Sequence, residues 1–138
     1  MEANRRFKIG EIYIMEFSGY GSEQNGRRPG LVFQNNVGNK YSPNVIALPL
    51  TSSVKKANIP THVLIPADGS GLQRDSIVLC ENPERMSKDR IGRYITSLSF
   101  DKMRQIATAY LLATSAIAFI NPESLFSLWE KAYNYNFA

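Results

Sequence analysis

The sequence predicts a mainly β domain, a small β-barrel, with helices at its C-terminal end. Three observations carry that prediction. Short runs rich in β-branched and aromatic residues recur through the first two thirds, separated by glycine, proline and asparagine. From Ser99 onward the apolar spacing changes to the three-and-four step of a helix. The chain has 138 residues, 43% of them hydrophobic and 20% charged, which suits one domain that buries a core without staples.

Each element follows from local composition. Residues 10–17, GEIYIMEF, set Ile12, Ile14 and Glu16 on one face of a strand and Tyr13, Met15 and Phe17 on the other. Both faces are largely apolar, so this strand is predicted to be covered on both sides. GLVFQ (30–34) forms a second strand, and NNVGNKYSPN (35–44) reads as a turn-rich loop. NVIALPL (44–50) is a third strand whose Pro49 places its end at an edge or bulge. HVLI (62–65) and DSIVLCE (75–81) are two more, joined through the glycine-rich ADGSG, with a further short strand within 93–98. Ser99 is placed to cap a helix whose apolar residues include Phe100, Met103, Ile106, Ala107, Tyr110, Leu111, Ile117 and Ala118. Asn121-Pro122 reads as the cap and first position of a second helix, through Leu125, Leu128, Trp129 and Ala132, widened by Phe126 and Tyr133. Residues 1–118 are therefore expected to form the barrel and its main helix. Residues 119–138 form an extension, expected as a short helix packed on the same domain.

Charge and elimination narrow the function. The net charge is +4, and it lies in the first 60 residues, which hold eight Lys or Arg against four acids; residues 61–138 hold eight of each. That asymmetry favours an anionic partner. The one cysteine, Cys80, sits in an apolar run and reads as a buried structural thiol, as in a reducing, cytoplasmic setting. MEANRRFKIG has no apolar core of a signal peptide. The uncharged stretch 106–120 is too short and too polar to span a bilayer, so no membrane association is expected. His62 is the only histidine, which excludes a two-histidine acid–base pair within one chain. There is no Cys/His cluster for zinc, no phosphate-binding loop followed by lysine, and no G-x-S-x-G. No metal and no cofactor are expected. Arginine, hydroxyl and amide chemistry remain.

The stretch GSEQNGRRPG (21–30) concentrates that chemistry. Gly21 and Gly26 permit left-handed backbone, so amides can converge there. Arg28 precedes Pro29, which biases it toward an extended conformation at the mouth of the second strand. An arginine held so can grip a phosphate through two parallel hydrogen bonds. Its neighbour Arg27 is expected to point the other way. On these residues alone, a solvated loop remains open beside an anion site.

Five segments then occur in order: G-S-E-Q-x-G-x-R-P at 21–29, Q-N-N-x-G-N at 34–39, P-L-T-S at 49–52, P-T-H-V at 60–63 and R-D-S-I-V at 74–78. Together they resemble the MazF/PemK (Kid) family of toxins of type II toxin–antitoxin systems, from about residue 8 to about residue 118. The resemblance implies a homodimer of small SH3-like barrels. It implies a sequence-specific, metal-independent endoribonuclease acting on single-stranded RNA. The ribose 2′-hydroxyl attacks, leaving a 2′,3′-cyclic phosphate and a 5′-hydroxyl. It places the catalytic arginine on Arg28 and the catalytic threonine on Thr51. A MazE-like antitoxin with an acidic, largely disordered segment would cover the same groove.

Physical chemistry supports part of this. The transition state is a phosphorane with extra negative charge, which Arg28 can stabilise and to which Thr51 can donate a hydrogen bond. An arginine general base is disfavoured by a pKa above about 12, so the base is unassigned. Read without the family, Thr51 is a strand-end hydroxyl capping a turn.

The remaining candidates concern RNA binding. By resemblance Ser22 and Gln24 help hold RNA. Asn35 and Asn36 could wall the groove, where amides suit base edges; some relatives carry an acid at the place of Asn36. His62 is either a base contact or structural. Arg74 either meets phosphate or pairs with Asp75 or another acid. Glu81 matches an acidic family position, and Asn82 stands where glutamine is frequent. Lys55 and Lys56 either extend an electropositive rim or form a solvated turn. Two other functions stay in view: a catalytically silent RNA-binding module, and a toxin like CcdB that binds gyrase.

Overall fold

A computed structural model describes residues 5–18 and 25–137. Among these, the strands are β1 (Glu11–Ser18), β2 (Asn25–Val32), β3 (Asn44–Thr51), β4 (His62–Ile65), β5 (Ser76–Leu79), β6 (Glu84–Ser87) and β7 (Ile91–Ser97). The helices are α1 (Asn36–Tyr41), α2 (Phe100–Thr114) and α3 (Leu125–Phe137). All pairings are antiparallel, in the order β4-β5-β3-β2-β1-β7, with β6 also on β3.

β3 organises the sheet by changing partners. Its first half, Asn44–Ala47, pairs with β6, and its end, Leu50 and Thr51, pairs with β5. Pro49 lies between the two partners, where neither β6 nor β5 pairs with it, while its other side faces Gly30 of β2. A residue without an N–H fits such a gap. Pro49 is thus inside a central strand, not at an edge.

The alternation in β1 divides the core. Ile12 joins a cluster with Leu31, Leu48, Leu50, Ile65 and Ile106. Tyr13, Met15 and Phe17 join a second with Phe7, Val32, Val45 and Met86. Each fully buried Leu, Ile, Phe or Met contributes roughly 1.5–3 kcal/mol of transfer free energy, so covering both faces of β1 anchors the sheet.

Three local expectations are corrected. β2 starts at Asn25 and not at Gly30, because residues 25–31 pair without interruption with β1. The stretch 35–44 contains α1, in spite of its weak helix formers. Asn35 caps it by accepting a hydrogen bond from the Gly38 N–H at 2.8 Å, and the buried Asn39 side chain donates to the Gln34 carbonyl at 2.8 Å. β6 is a strand that propensity does not reveal, since Glu84-Arg85-Met86-Ser87 buries only Met86.

The C-terminal helices carry the caps expected of them. Ser99 Oγ accepts from the Lys102 N–H at 3.2 Å, and α2 packs Ile106 and Ala109 into the first core. α2 stops at Thr114, short of Ile117 and Ala118, where Ser115 takes a left-handed φ of 56°. Asn121 Oδ1 accepts from the Glu123 N–H at 3.0 Å ahead of α3. None of the α3 residues is buried. Phe126, Trp129, Tyr133 and Phe137 stack along it, with successive ring centroids 6.1, 5.4 and 5.0 Å apart. Near its end, Asn136 Oδ1 accepts from the Asn36 N–H at 2.9 Å and ties α3 to α1.

Candidate active site

Strand register brings the two principal candidates together. β2 and β3 pair through Gly30↔Pro49. Continued two residues further, the same register sets Arg28 opposite Thr51. The ladder stops before that point, and the strands open onto a cavity of about 470 Å³ lined by both residues. Arg28 is half-buried within β2, not at its mouth. It stands opposite Met15, whereas exposed Arg27 stands opposite Glu16, so the adjacent arginines diverge as alternation requires.

Thr51 Oγ1 accepts a hydrogen bond from the Ser53 N–H at 3.2 Å. The hydroxyl therefore caps the turn and still has its own proton to donate. Ser52, Gln73 and Arg74 line the cavity beside it, and β7 closes the far side with Arg93 and Tyr94. The loop before β5 approaches closely at Gly71, whose φ is +87°. A Cβ there would lie 2.8 Å from the Thr96 Cβ, so only glycine fits. Ser76 Oγ donates to the Arg74 carbonyl at 3.0 Å and steadies the backbone that presents Arg74. Asp75 is occupied elsewhere, accepting from the Ala67 N–H at 2.8 Å, and Arg74 forms no ion pair among the described residues.

Three arginines and four hydroxyl-bearing residues, Thr51, Ser52, Ser76 and Tyr94, thus share a cavity that no described carboxylate lines. Its chemistry suits an anion with several oxygens, above all a phosphate. Among the described residues, no three His, Cys, Asp or Glu side chains group to hold a metal ion.

The sequence matches a known family. Residues 8–113 fit the model of the PemK-like, MazF-like toxins of type II toxin–antitoxin systems. The chain belongs to that family. It is 39% identical to Endoribonuclease EndoA of Bacillus subtilis over 113 residues, covering 81% of this chain and 97% of that protein. It is 42% identical to Endoribonuclease MazF of Staphylococcus saprophyticus, covering 72% and 84% respectively. A solved mycobacterial endoribonuclease, in complex with its cognate antitoxin, superposes with a TM-score of 0.67 at 28% identity, over 80% of this chain and 96% of that one. The mainly antiparallel sheet with C-terminal helices is therefore the MazF fold.

The other candidates are distributed more widely. His62 and Glu81 meet each other: Nε2 and Oε2 lie 2.7 Å apart, with the His62 side chain only 5% exposed. Neither lines the cavity, because His62 lies at the end of β4 remote from Ile65, which pairs with Ser76. Asn35 caps α1, and Asn36 Oδ1 accepts from the Ile9 backbone N–H at 2.8 Å and from the Asn39 side-chain amide at 3.0 Å. Asn82 is half-buried, its N–H donating to the Leu79 carbonyl at 3.2 Å. Lys55 is exposed on the 3-10 turn Val54–Lys56, to which Lys56 also belongs, and does not line the cavity. Ser22 and Gln24 lie outside the described residues. Sequence reasoning missed Ser52, Gln73, Arg93 and Tyr94. Ser52 adjoins Thr51 and could have been found with it, whereas the placement of Arg93 depends on an irregularity in β7. No described helix is long and apolar enough to cross a membrane.

Proposed function

We propose that this family member is the endoribonuclease toxin of its toxin–antitoxin pair, cutting single-stranded RNA in the cytoplasm without a metal. The observation that carries the reading is the cavity free of described carboxylates that both Arg28 and Thr51 line, just past the end of the β2–β3 ladder. In the reaction the ribose 2′-oxygen bonds to the adjacent phosphorus. Its proton passes to a base that stays unassigned, the bond from phosphorus to the 5′-oxygen breaks, and that oxygen takes up a proton. The products are a 2′,3′-cyclic phosphate and a 5′-hydroxyl. Arg28 neutralises the charge that accumulates on the phosphorane oxygens, and the Thr51 hydroxyl donates to one of them. Arg74 holds phosphate at the rim.

The protein acts as a homodimer, and an acidic segment of a MazE-like antitoxin occupies the same positively charged cavity, so antitoxin and RNA compete. The test is cleavage of a mixed-sequence RNA in EDTA, with both new ends mapped chemically. Cyclic-phosphate and 5′-hydroxyl ends at one short motif, absent with Arg28→Ala and Thr51→Ala, are the expected result. Intact RNA after long incubation with folded wild-type protein would refute the reading and direct attention to gyrase.

A further inference from the structure

β7 is longer than the part of β1 it pairs with. Glu11↔Ser97 and Met15↔Ile91 bound the ladder, so four steps along β1 meet six along β7. The register slips between Ile12 and Tyr13 and again between Tyr13 and Met15. One extra residue therefore falls at Ile95 and another in the pair Gly92-Arg93. Bulges of this kind bend a strand and re-aim its side chains. In a regular strand Arg93 and Tyr94 would face opposite sides. Here Arg93, Tyr94 and Ile95, three consecutive residues, line the same cavity as Arg28 and Thr51. Gly92 permits the irregularity, since a Cβ there would lie 3.2 Å from both the Ile14 carbonyl oxygen and the Arg27 Nη2.

The two polar members of the trio are fitted for different parts of a nucleotide. Arg93 is exposed and forms no ion pair among the described residues. Nearby Asp89 instead accepts a 2.6 Å hydrogen bond from Ser87 Oγ. Tyr94 is 51% exposed, yet its ring is held in place. It meets Tyr13 edge-on at 5.6 Å and 72°, and its hydroxyl lies 2.8 Å from Ser97 Oγ. Tyr13 is itself buried and donates to Glu11 Oε1 at 2.9 Å. A fixed, half-exposed aromatic beside a cationic side chain is the elementary unit of single-strand recognition, one group for the base and one for the phosphate.

We infer that Arg93 and Tyr94 form a second nucleotide subsite, with Arg93 binding a phosphate next to the scissile one and Tyr94 stacking the attached base. The inference rests on the ribonuclease reading and deepens it. Arg93 supplies affinity through charge, whereas Tyr94 supplies it through stacking, so the two contributions separate with salt.

The experiment measures binding of a mixed-sequence, fully 2′-O-methylated single-stranded RNA, which lacks the attacking hydroxyl, across a salt series. Arg93→Gln should reduce the slope of log affinity against log salt by about 0.7 and weaken binding at low salt. Tyr94→Ala should weaken binding about tenfold with the slope unchanged, and Tyr94→Phe should retain wild-type affinity. Arg104→Gln, on α2 and outside the cavity, serves as the charge control. A slope for Arg93→Gln equal to that of wild type or of the control, or full affinity in Tyr94→Ala, overturns the subsite while wild-type cleavage of unmodified RNA continues. Wild-type protein that leaves unmodified RNA intact and fails to bind the probe overturns the ribonuclease reading and the subsite together.

Discussion

Thr51 Oγ1, on the last residue of β3, accepts a hydrogen bond from the Ser53 N–H at 3.2 Å. The turn-capping and catalytic readings of Thr51 are thus compatible, since the bond orients the hydroxyl without consuming its proton. Thr51→Ala should lower kcat roughly 100- to 1,000-fold, the usual loss on removing one preorganised donor. The lost cap should cost only about 1 kcal/mol of stability. Thr51→Ser keeps the hydroxyl and should keep most of the activity. Cleavage kinetics and urea titration on the same preparations separate the two effects, and equal activity in Ala and Ser variants would remove Thr51 from the mechanism.

Arg28 is half-buried on a strand, so its guanidinium approaches the cavity along a restricted path. Lysine retains the charge but loses the planar pair of donors that matches two phosphate oxygens. Arg28→Lys should therefore retain substrate affinity within a few fold while kcat falls about 100-fold. A change confined to KM would make Arg28 a binding residue only.

Much of this could be read from the chain, and the failures have physical causes. β1 was readable because alternation in GEIYIMEF splits cleanly into two apolar faces, and each found a core. The caps at Ser99 and Asn121 were readable because capping is local chemistry. α1 was not, because side-chain hydrogen bonds hold it against poor propensity: Asn36 Oδ1 accepts from the distant Ile9 N–H, and the Asn39 side-chain amide donates to Gln34 and Asn36. That Arg28 and Thr51 line one cavity was not legible from the residues alone, since register between β2 and β3 is a long-range property. Arg93 and Tyr94 stayed hidden because a bulge leaves no periodic trace.

The His62–Glu81 contact gives these residues a structural role that can be weighed against RNA binding. The pair is 2.7 Å apart and outside the cavity, with His62 almost wholly covered. Glu81→Ala and His62→Ala should each destabilise the fold by about 1–3 kcal/mol, as expected when a buried polar group loses a hydrogen-bond partner. The double variant should fall short of the sum by at least about 0.5 kcal/mol. Cleavage per folded molecule should drop less than tenfold. Strict additivity, or a large loss of cleavage without loss of stability, would favour contact with RNA instead.

Residues 119–138 can be removed with little effect on the core. α3 contributes no buried residue, and its fixed tie to the sheet domain includes the 2.9 Å bond from the Asn36 N–H to Asn136. A chain ending at Ala118 should unfold within about 1–1.5 kcal/mol of the full protein. It should also scatter less light at high concentration, because the exposed stack from Phe126 to Phe137 is gone. Unfolding of the shortened chain at ambient temperature would show that the stack supports the core.

Cys80 offers a pH-dependent test of burial. Its thiol is fully covered, and desolvation, reinforced by the negative charge of Glu81, pushes its pKa up to about 12. In the unfolded chain a thiol ionises near about 8.5. Between about 8.5 and 12 the unfolded state therefore binds fewer protons than the folded state, so stability falls as pH rises through that window. The slope contributed by this one group approaches about 1.4 kcal/mol per pH unit at its steepest. Below about pH 8 both states keep the proton and the contribution vanishes. Urea unfolding at a series of pH values should show wild type losing stability faster than Cys80→Ala above about pH 9, with parallel curves below pH 8. Alkylation of the native protein at pH 8 should proceed only through unfolding, at a rate that urea accelerates. Rapid native-state labelling, or parallel curves throughout, would show a thiol open to solvent.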